Sequence, residues 1–219
     1  MENKAKITLY GLSMSTCTQR VIAALTEKGL SFKLVSIDFA GGEHKSKNYL
    51  EEKNPFGVIP VLIDENGFKV YESRAICRYL ETQYKGKGAE LIPTKDAKAQ
   101  GLFEQAASTE ISYFDPYASG IVFERVFKKM KGQGEADETK VAEYKKQLNT
   151  NLDVYEKILS KQPYLAGETF TLADLFHLPY GAWLVKLGEG NFFESRPHVK
   201  QWWDKITARV SWKTVQAME

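Results

Sequence analysis

Cysteine is scarce in this chain: 219 residues hold two, Cys17 and Cys77. They lie far apart and form no Cys-x-x-Cys pair, so the pattern implies neither a disulfide scaffold nor a metal site. Long apolar runs are missing too, and nothing approaches the roughly 18 residues that a membrane-spanning helix needs. Neither sign of charge dominates. Thirty basic residues stand against 28 acidic ones, interspersed, which leaves no electrostatic argument for nucleic acid. The opening Met1 to Lys6 runs straight into a strand-like Ile7–Tyr10, without the charged-then-apolar pattern of a leader. There is no internal repeat and no low-complexity segment. These absences point to a globular protein without a metal, a nucleic-acid partner or a membrane anchor. Its default setting is a reducing cytoplasm, and its length allows two small domains.

The first 84 residues alternate strand and helix signals. Ile7 and Leu9 alternate with Thr8 and Tyr10 as in a strand. A helix follows with Val21, Ala24, Leu25 and Lys28 on one face, stopped by Gly29. Ser31–Ile37 is a second strand, and Asp38–Lys45 is a loop leading to a short polar helical piece ending at Glu52. Val61–Ile63 and Phe68–Tyr71 form a hairpin whose turn is supplied by Asn66-Gly67. Ser73–Gln83 is helical, with Ile76, Tyr79 and Leu80 inward. The order predicts a mixed sheet with helices packed on its faces. Residues 85–94 have the composition of a linker, and 95–219 is predicted to be a helical domain. Asp96 opens a helix running to about Met130, bent near Pro116. Val141, Tyr144, Leu148, Leu152, Tyr155 and Leu159 mark the clearest amphipathic helix. Thr171 and Asp174 form a capping box, Pro179 interrupts the helix behind it, and Pro197 opens the last long one, with Trp202 and Ile206 inward.

The stretch that organises the chain is Asn54-Pro-Phe-Gly-Val-Ile-Pro60, followed by the hairpin and Glu72-Ser73. Pro60 has no N–H and holds Ile59 extended, so the Ile59 main chain can pair with a peptide. Ser73 is expected to cap the next helix, and Ile76 three residues on supplies no return bond. The positive end of that helix is therefore open to a carboxylate. A small acidic peptide suits such a place.

Glu43-His-Lys-Ser46, Asn54–Pro60, Glu72-Ser-Arg-Ala-Ile76, Ile121-Val-Phe-Glu124 and Thr171-Leu-Ala-Asp174, in that order and at these spacings, resemble the glutathione transferases, specifically the serine-type phi class. The resemblance covers nearly the whole chain. It implies an α/β thioredoxin-like N-terminal domain (1–84) that binds glutathione and an all-α C-terminal domain (95–219). It also implies a homodimer, and a hydrophobic electrophile seated between the domains. Glutathione would be a co-substrate, with no further cofactor. The expected chemistry is conjugation, with reduction of organic hydroperoxides beside it. A non-catalytic carrier of hydrophobic ligands is the alternative from another class.

By the same resemblance, Ser15 is the catalytic serine, hydrogen-bonding the glutathione sulfur. Ser13 is a competing serine, and Cys17 a competing thiol-exchange residue. Ile59 would pair with the cysteinyl part, with Pro60 cis. Ser73 would hold the γ-glutamyl carboxylate, Glu72 the ammonium, and His44 with Lys45 the glycyl carboxylate. The class usually has Gln where this chain has Val58. Met14, Phe39, Phe114, Tyr117 and Ile121 are the candidates for the electrophile side, the last three sharing a helical face.

Overall fold

The structure is a computed structural model and describes residues 7–218. It divides into two compact units: Ile92–Arg209, and the remainder, which joins the chain through Leu91 to the segment from Val210.

In the first unit β1 (Ile7–Gly11) leads to α1 (Thr16–Glu27), β2 (Phe32–Ser36), a 3-10 turn (Glu43–Lys45) and α2 (Lys47–Glu52). Then come β3 (Val61–Ile63), β4 (Lys69–Tyr71) and α3 (Ser73–Gln83). The sheet order is β2-β1-β3-β4. β1 runs parallel to β2 and antiparallel to β3, and β3 runs antiparallel to β4. This is the mixed sheet expected from the alternation of strand and helix signals. β1 buries Ile7, Leu9 and Gly11 and leaves Thr8 and Tyr10 half-buried, so its alternation survives in the fold. The hairpin closes on Asp64, whose Oδ1 accepts from the Asn66 and Phe68 N–H groups at 2.9 and 2.8 Å. Gly67 takes the positive φ of 81° that the turn demands.

α1 is buried on nearly every face, not on one stripe. Even Arg20 is fully buried, and Lys28 reaches Glu81 at 2.8 Å and the Ala89 carbonyl at 3.0 Å.

The second unit starts with α4 (Ala97–Thr109), capped by Asp96 through the Ala99 N–H at 2.9 Å. The helical path runs on to Met130 as expected, but two wide π turns break its pitch. Glu110–Phe114 is the first, followed by α5 (Asp115–Val122). Phe123–Phe127 is the second, followed by α6 (Lys128–Met130). Pro116 stands just after the first wide turn, where its missing N–H would interrupt a regular ladder. The Asn151 side chain donates to the Tyr113 carbonyl at 2.7 Å, satisfying an acceptor within that turn.

α7 (Glu138–Leu159) buries Val141, Leu148, Leu152, Tyr155 and Leu159, the stripe expected from the sequence, with Tyr144 half-buried. α8 (Leu172–Leu175) carries the capping box of Thr171 and Asp174. α9 (Leu178–Lys186) restarts with Pro179 in its first turn. α10 (Asn191–Glu194) is a single turn, and α11 (Pro197–Thr207) buries Trp202 and Ile206. The Tyr155 hydroxyl meets His177 Nε2 at 3.0 Å in a fully buried aromatic core that also holds Phe114 and Trp202.

The expected domain boundary needs one correction. α12 (Val210–Ala217) belongs to the first unit and not to the helical domain. Trp212 and Val215 are buried, and Ser211 hydrogen-bonds the Glu27 carboxylate at the end of α1. An apolar helix face goes where a matching face is left open, and local sequence does not say which unit has one. No helix among the described residues is long and apolar enough to cross a membrane.

Candidate active site

The strand register gathers the sequence-predicted residues of the first unit at one end of the sheet. Tyr10 pairs with Val61, Val61 with Tyr71, and Gly11 with Ser36. Because β3 is antiparallel to both neighbours, the segment entering it (Val58–Pro60) lies beside the segments leaving β1 (Leu12–Ser15) and β4 (Glu72–Ser73). Strands sit about 4.8 Å apart, so these three segments span about 10 Å, the reach of an extended tripeptide.

Ser15 is the N-cap of α1. Its Oγ accepts from the Thr18 N–H at 3.4 Å, and its carbonyl starts the helix by accepting from Gln19 at 2.8 Å. A hydroxyl that accepts one bond still has its own proton to donate, and that donation is polarised by the N–H behind it. Ser13 lies in the turn before the helix, and Cys17 lies inside its first turn. Beneath them Gly11 packs directly on Thr18: a Cβ built on Gly11 would stand 2.5 Å from Thr18 Oγ1.

The loop before β3 is held from behind. The buried Asn54 side chain donates to the Val58 carbonyl and accepts from the Phe56 N–H, both at 3.0 Å. The Tyr49 hydroxyl gives the same Val58 carbonyl a second bond at 3.0 Å. Gly57 takes a φ of 60°, and a Cβ there would lie 2.7 Å from the His44 carbonyl. The loop therefore closes against His44 and Lys45, and Lys45 Nζ donates to the Phe56 carbonyl at 3.1 Å. The Ile59–Pro60 bond is cis, and the Ile59 side chain packs on the Ile37, Tyr49 and Val61 cluster. Among the described residues its N–H and C=O have no hydrogen-bond partner in the chain. The Val58 side chain is exposed while its carbonyl is tied down.

Ser73 is not the helix cap. Glu72 takes the cap position with φ 68° and ψ 109°, and among the described residues it alone combines a side chain with a positive φ. Ser73 is the first helical residue, and its Oγ accepts from the buried Arg20 guanidinium at 3.0 Å. A long-range bond has taken the hydroxyl from its local role. The first turn of α3 has no side-chain cap, so the positive end of the helix dipole meets no capping side chain of its own.

His44 is buried and stacks face to face on Phe39, with ring centroids 3.8 Å apart. Its Nδ1 is buried without a hydrogen-bond partner. Burial, then the charge of Lys45, lowers its pKa below the usual histidine value. That leaves a neutral ring at neutral pH.

The models of two known domains match this chain: the N-terminal domain of glutathione S-transferases over residues 9–88 and their C-terminal domain over residues 114–209. The chain belongs to the glutathione S-transferase family. A glutathione S-transferase of Arabidopsis thaliana is 55% identical over 198 residues, covering 90% of this chain and 89% of that protein. The crystal structure of an F-type glutathione transferase from Populus trichocarpa superimposes with a TM-score of 0.92 at 40% identity, covering 97% of this chain and 98% of the other. Maize glutathione S-transferase I, solved with an atrazine–glutathione conjugate, gives 0.89 at 34% identity, with 97% of each chain covered. The F designation of the plant relatives agrees with the phi class.

Within this transferase the apolar candidates divide. Met14 and Phe39 are exposed in the first unit, and Tyr117 is half-buried in the second. Phe114 and Ile121 are corrected to core residues: both have no exposed surface, and Phe114 packs on His177 at 4.6 Å. Shared helical spacing identified the face but not which neighbour would cover it. Cys77 is fully buried, and burial pushes its thiol up to about 12, so it is inert.

Three supporting residues escaped the sequence reading: Arg20, Asn54 and Tyr49. Signals existed for two of them. Arg20 is a lone charge leading into the apolar run Val21–Leu25, and Asn54 before Pro55 suits an Asx turn, which its bond to the Phe56 N–H realises. Tyr49 had none.

Proposed function

We propose that this transferase adds the glutathione thiolate to hydrophobic electrophiles, with Ser15 as the group that stabilises the thiolate. A free thiol titrates near ~8.5 and is mostly protonated at neutral pH. Lowering that by about two units stabilises the anion by roughly 2.7 kcal/mol. One aimed hydroxyl donor at a helix N-terminus supplies an amount of that order. The observation that carries the reading is the Ser15 hydroxyl, whose oxygen is used by Thr18 and whose proton has no acceptor among the described residues, on the sheet end that also bears the Ile59 main chain, unpaired among the same residues.

The ligand's cysteinyl peptide would pair with Ile59 beside Val58 and cis-Pro60. Its γ-glutamyl carboxylate would meet Ser73 and the open turn of α3, its ammonium Glu72, and its glycyl carboxylate His44 and Lys45. Met14 and Phe39, with Tyr117, would offer apolar surface to the electrophile. The same thiolate would reduce organic hydroperoxides. It attacks the terminal oxygen, releases the alcohol, and the sulfenic acid so formed takes a second glutathione to give the disulfide and water. Two free thiols and the family's chemistry suit a homodimer in the reducing cytoplasm.

Ser15→Ala tests the mechanism. The bound thiol, followed by thiolate absorbance against pH, should titrate about one to two units higher, and kcat/KM with an aryl halide should fall at least roughly tenfold at neutral pH. An unchanged titration would remove Ser15 from the chemistry.

A further inference from the structure

Phe39 and His44 share one short loop, and their contact gives Phe39 a task that the proposed chemistry does not assign to it. The two rings are parallel to within 3°, with centroids 3.8 Å apart. Among the described residues no hydrogen bond reaches either nitrogen of His44. The torsion that turns an imidazole about its Cβ–Cγ bond is broad, so packing must set the plane of this ring, and Phe39 covers one face of it. Nδ1 is buried without a partner, whereas Nε2 is not enclosed in that way. A proton on Nδ1 would be a buried donor with no acceptor, so the neutral ring carries its proton on Nε2.

Phe39 is 40% exposed, yet the loop that carries it is closed by its own bonds. The Phe39 N–H donates to the Ile37 carbonyl at 2.8 Å, and the Glu43 N–H to the Asp38 carbonyl at 2.9 Å. The Asp38 N–H donates to the Glu43 carboxylate and the Gly41 N–H to the Asp38 carboxylate, both at 2.7 Å. A Cβ built on Gly41 would stand 2.1 Å from Asp38 Oδ2, so the turn has no room for a side chain there. The loop fixes the Phe39 ring, and that ring presents a flat face to His44. We propose that Phe39 is a positioning residue for glutathione, holding the plane of His44 so that the Nε2 proton points at the glycyl carboxylate. This role rests on the reading that His44 meets that carboxylate. A hydrogen bond to a carboxylate weakens steeply when bent, so an imidazole free to turn binds the same group less well. Phe39 acts on the glycyl end only through His44, and its outer face stays open to an electrophile.

The test uses the full chain and two ligands whose sulfur carries no proton, S-methylglutathione and S-methyl-γ-glutamylcysteine, so the outcome does not depend on Ser15. The second ligand lacks the glycine. Calorimetric titration of wild type should show the glycine-bearing ligand binding more tightly. Phe39→Leu, which keeps apolar bulk but has no flat ring, should weaken S-methylglutathione at least about threefold, the worth of one stacked pair. It should leave the truncated ligand within about twofold, and Phe39→Tyr should hold both ligands within about twofold of wild type. His44→Ala should cut the preference for the glycine-bearing ligand at least about threefold, and adding Phe39→Leu to it should cost less than about twofold more. Equal weakening of both ligands by Phe39→Leu, weakening of neither, or additive effects of the two substitutions would overturn the role of Phe39 and leave His44 on the carboxylate. If His44→Ala keeps the preference intact, the placement of the glycyl carboxylate on His44 fails, and the role of Phe39 fails with it.

Discussion

The clamp behind Ile59 makes a quantitative test of how the substrate edge is held. Asn54→Ala removes two hydrogen bonds of 3.0 Å, one to the Val58 carbonyl and one from the Phe56 N–H. Val58 keeps the Tyr49 hydroxyl at 3.0 Å, so its carbonyl is not orphaned. At about 1 kcal/mol per net hydrogen bond, the single variant should lose about 2 kcal/mol. For a chain of this size that is a fall in Tm of about 4–8 °C. Tyr49→Phe alone should cost about 1 kcal/mol for the same reason. The double variant strips both donors from one carbonyl, and an unpaired acceptor costs roughly 1–2 kcal/mol beyond the sum. Chemical denaturation of the four proteins measures this coupling. KM for glutathione should rise through the series while kcat holds, because Ile59 supplies binding shared by ground and transition states. Additivity to within about 0.3 kcal/mol would refute the clamp.

Other perturbations test neighbouring parts. Asp174→Ala leaves the Leu165, Thr171 and Trp202 N–H donors, each at 2.9 Å in the native protein, without an acceptor. It should cost roughly 3–5 kcal/mol in urea unfolding, and a loss below about 1.5 would mean that water or repacking restores the network. Gly11→Ala drives a Cβ to within 2.5 Å of Thr18 Oγ1, and adding Thr18→Ala removes the clashing atoms. The first variant should lose about 1–3 kcal/mol and conjugation activity with it, and the second change should restore most of both. Burial, then the charge of Glu43, pushes the Tyr49 hydroxyl from 10.0 to about 12. The folded state holds that proton more tightly than the unfolded one, so this stability is intact below pH 10.0 and drains away as pH rises toward about 12. Tyr49→Phe should flatten the alkaline decline of Tm over that window, and an unchanged slope would contradict the shift.

Much of the fold was legible because its cues are local. Alternation in Ile7–Tyr10, Asn66-Gly67 between two short apolar runs, and the Thr171–Asp174 box each act over a few residues, and each appears where expected. The α7 stripe is a period, and a period survives folding. Individual roles were harder. Ser73 has the chemistry of a cap, yet Arg20, distant in the chain, takes its hydroxyl and leaves the cap position to Glu72. Phe114, Tyr117 and Ile121 share a face by spacing, but burial separates Tyr117 from the other two.

By itself, the order of residues determined the two kinds of unit, the element sequence and the family. These rest on propensity, periodicity and short motifs, whose energies are settled within a few turns of chain. Only the tertiary structure decided that α12 returns to the first unit, that Arg20 reaches Ser73, and that Asn54 and Tyr49 converge on one carbonyl. Those contacts join residues that are separated along the chain or on different elements. Which donor meets which acceptor is set by how faces pack, and a one-dimensional pattern carries no term for that.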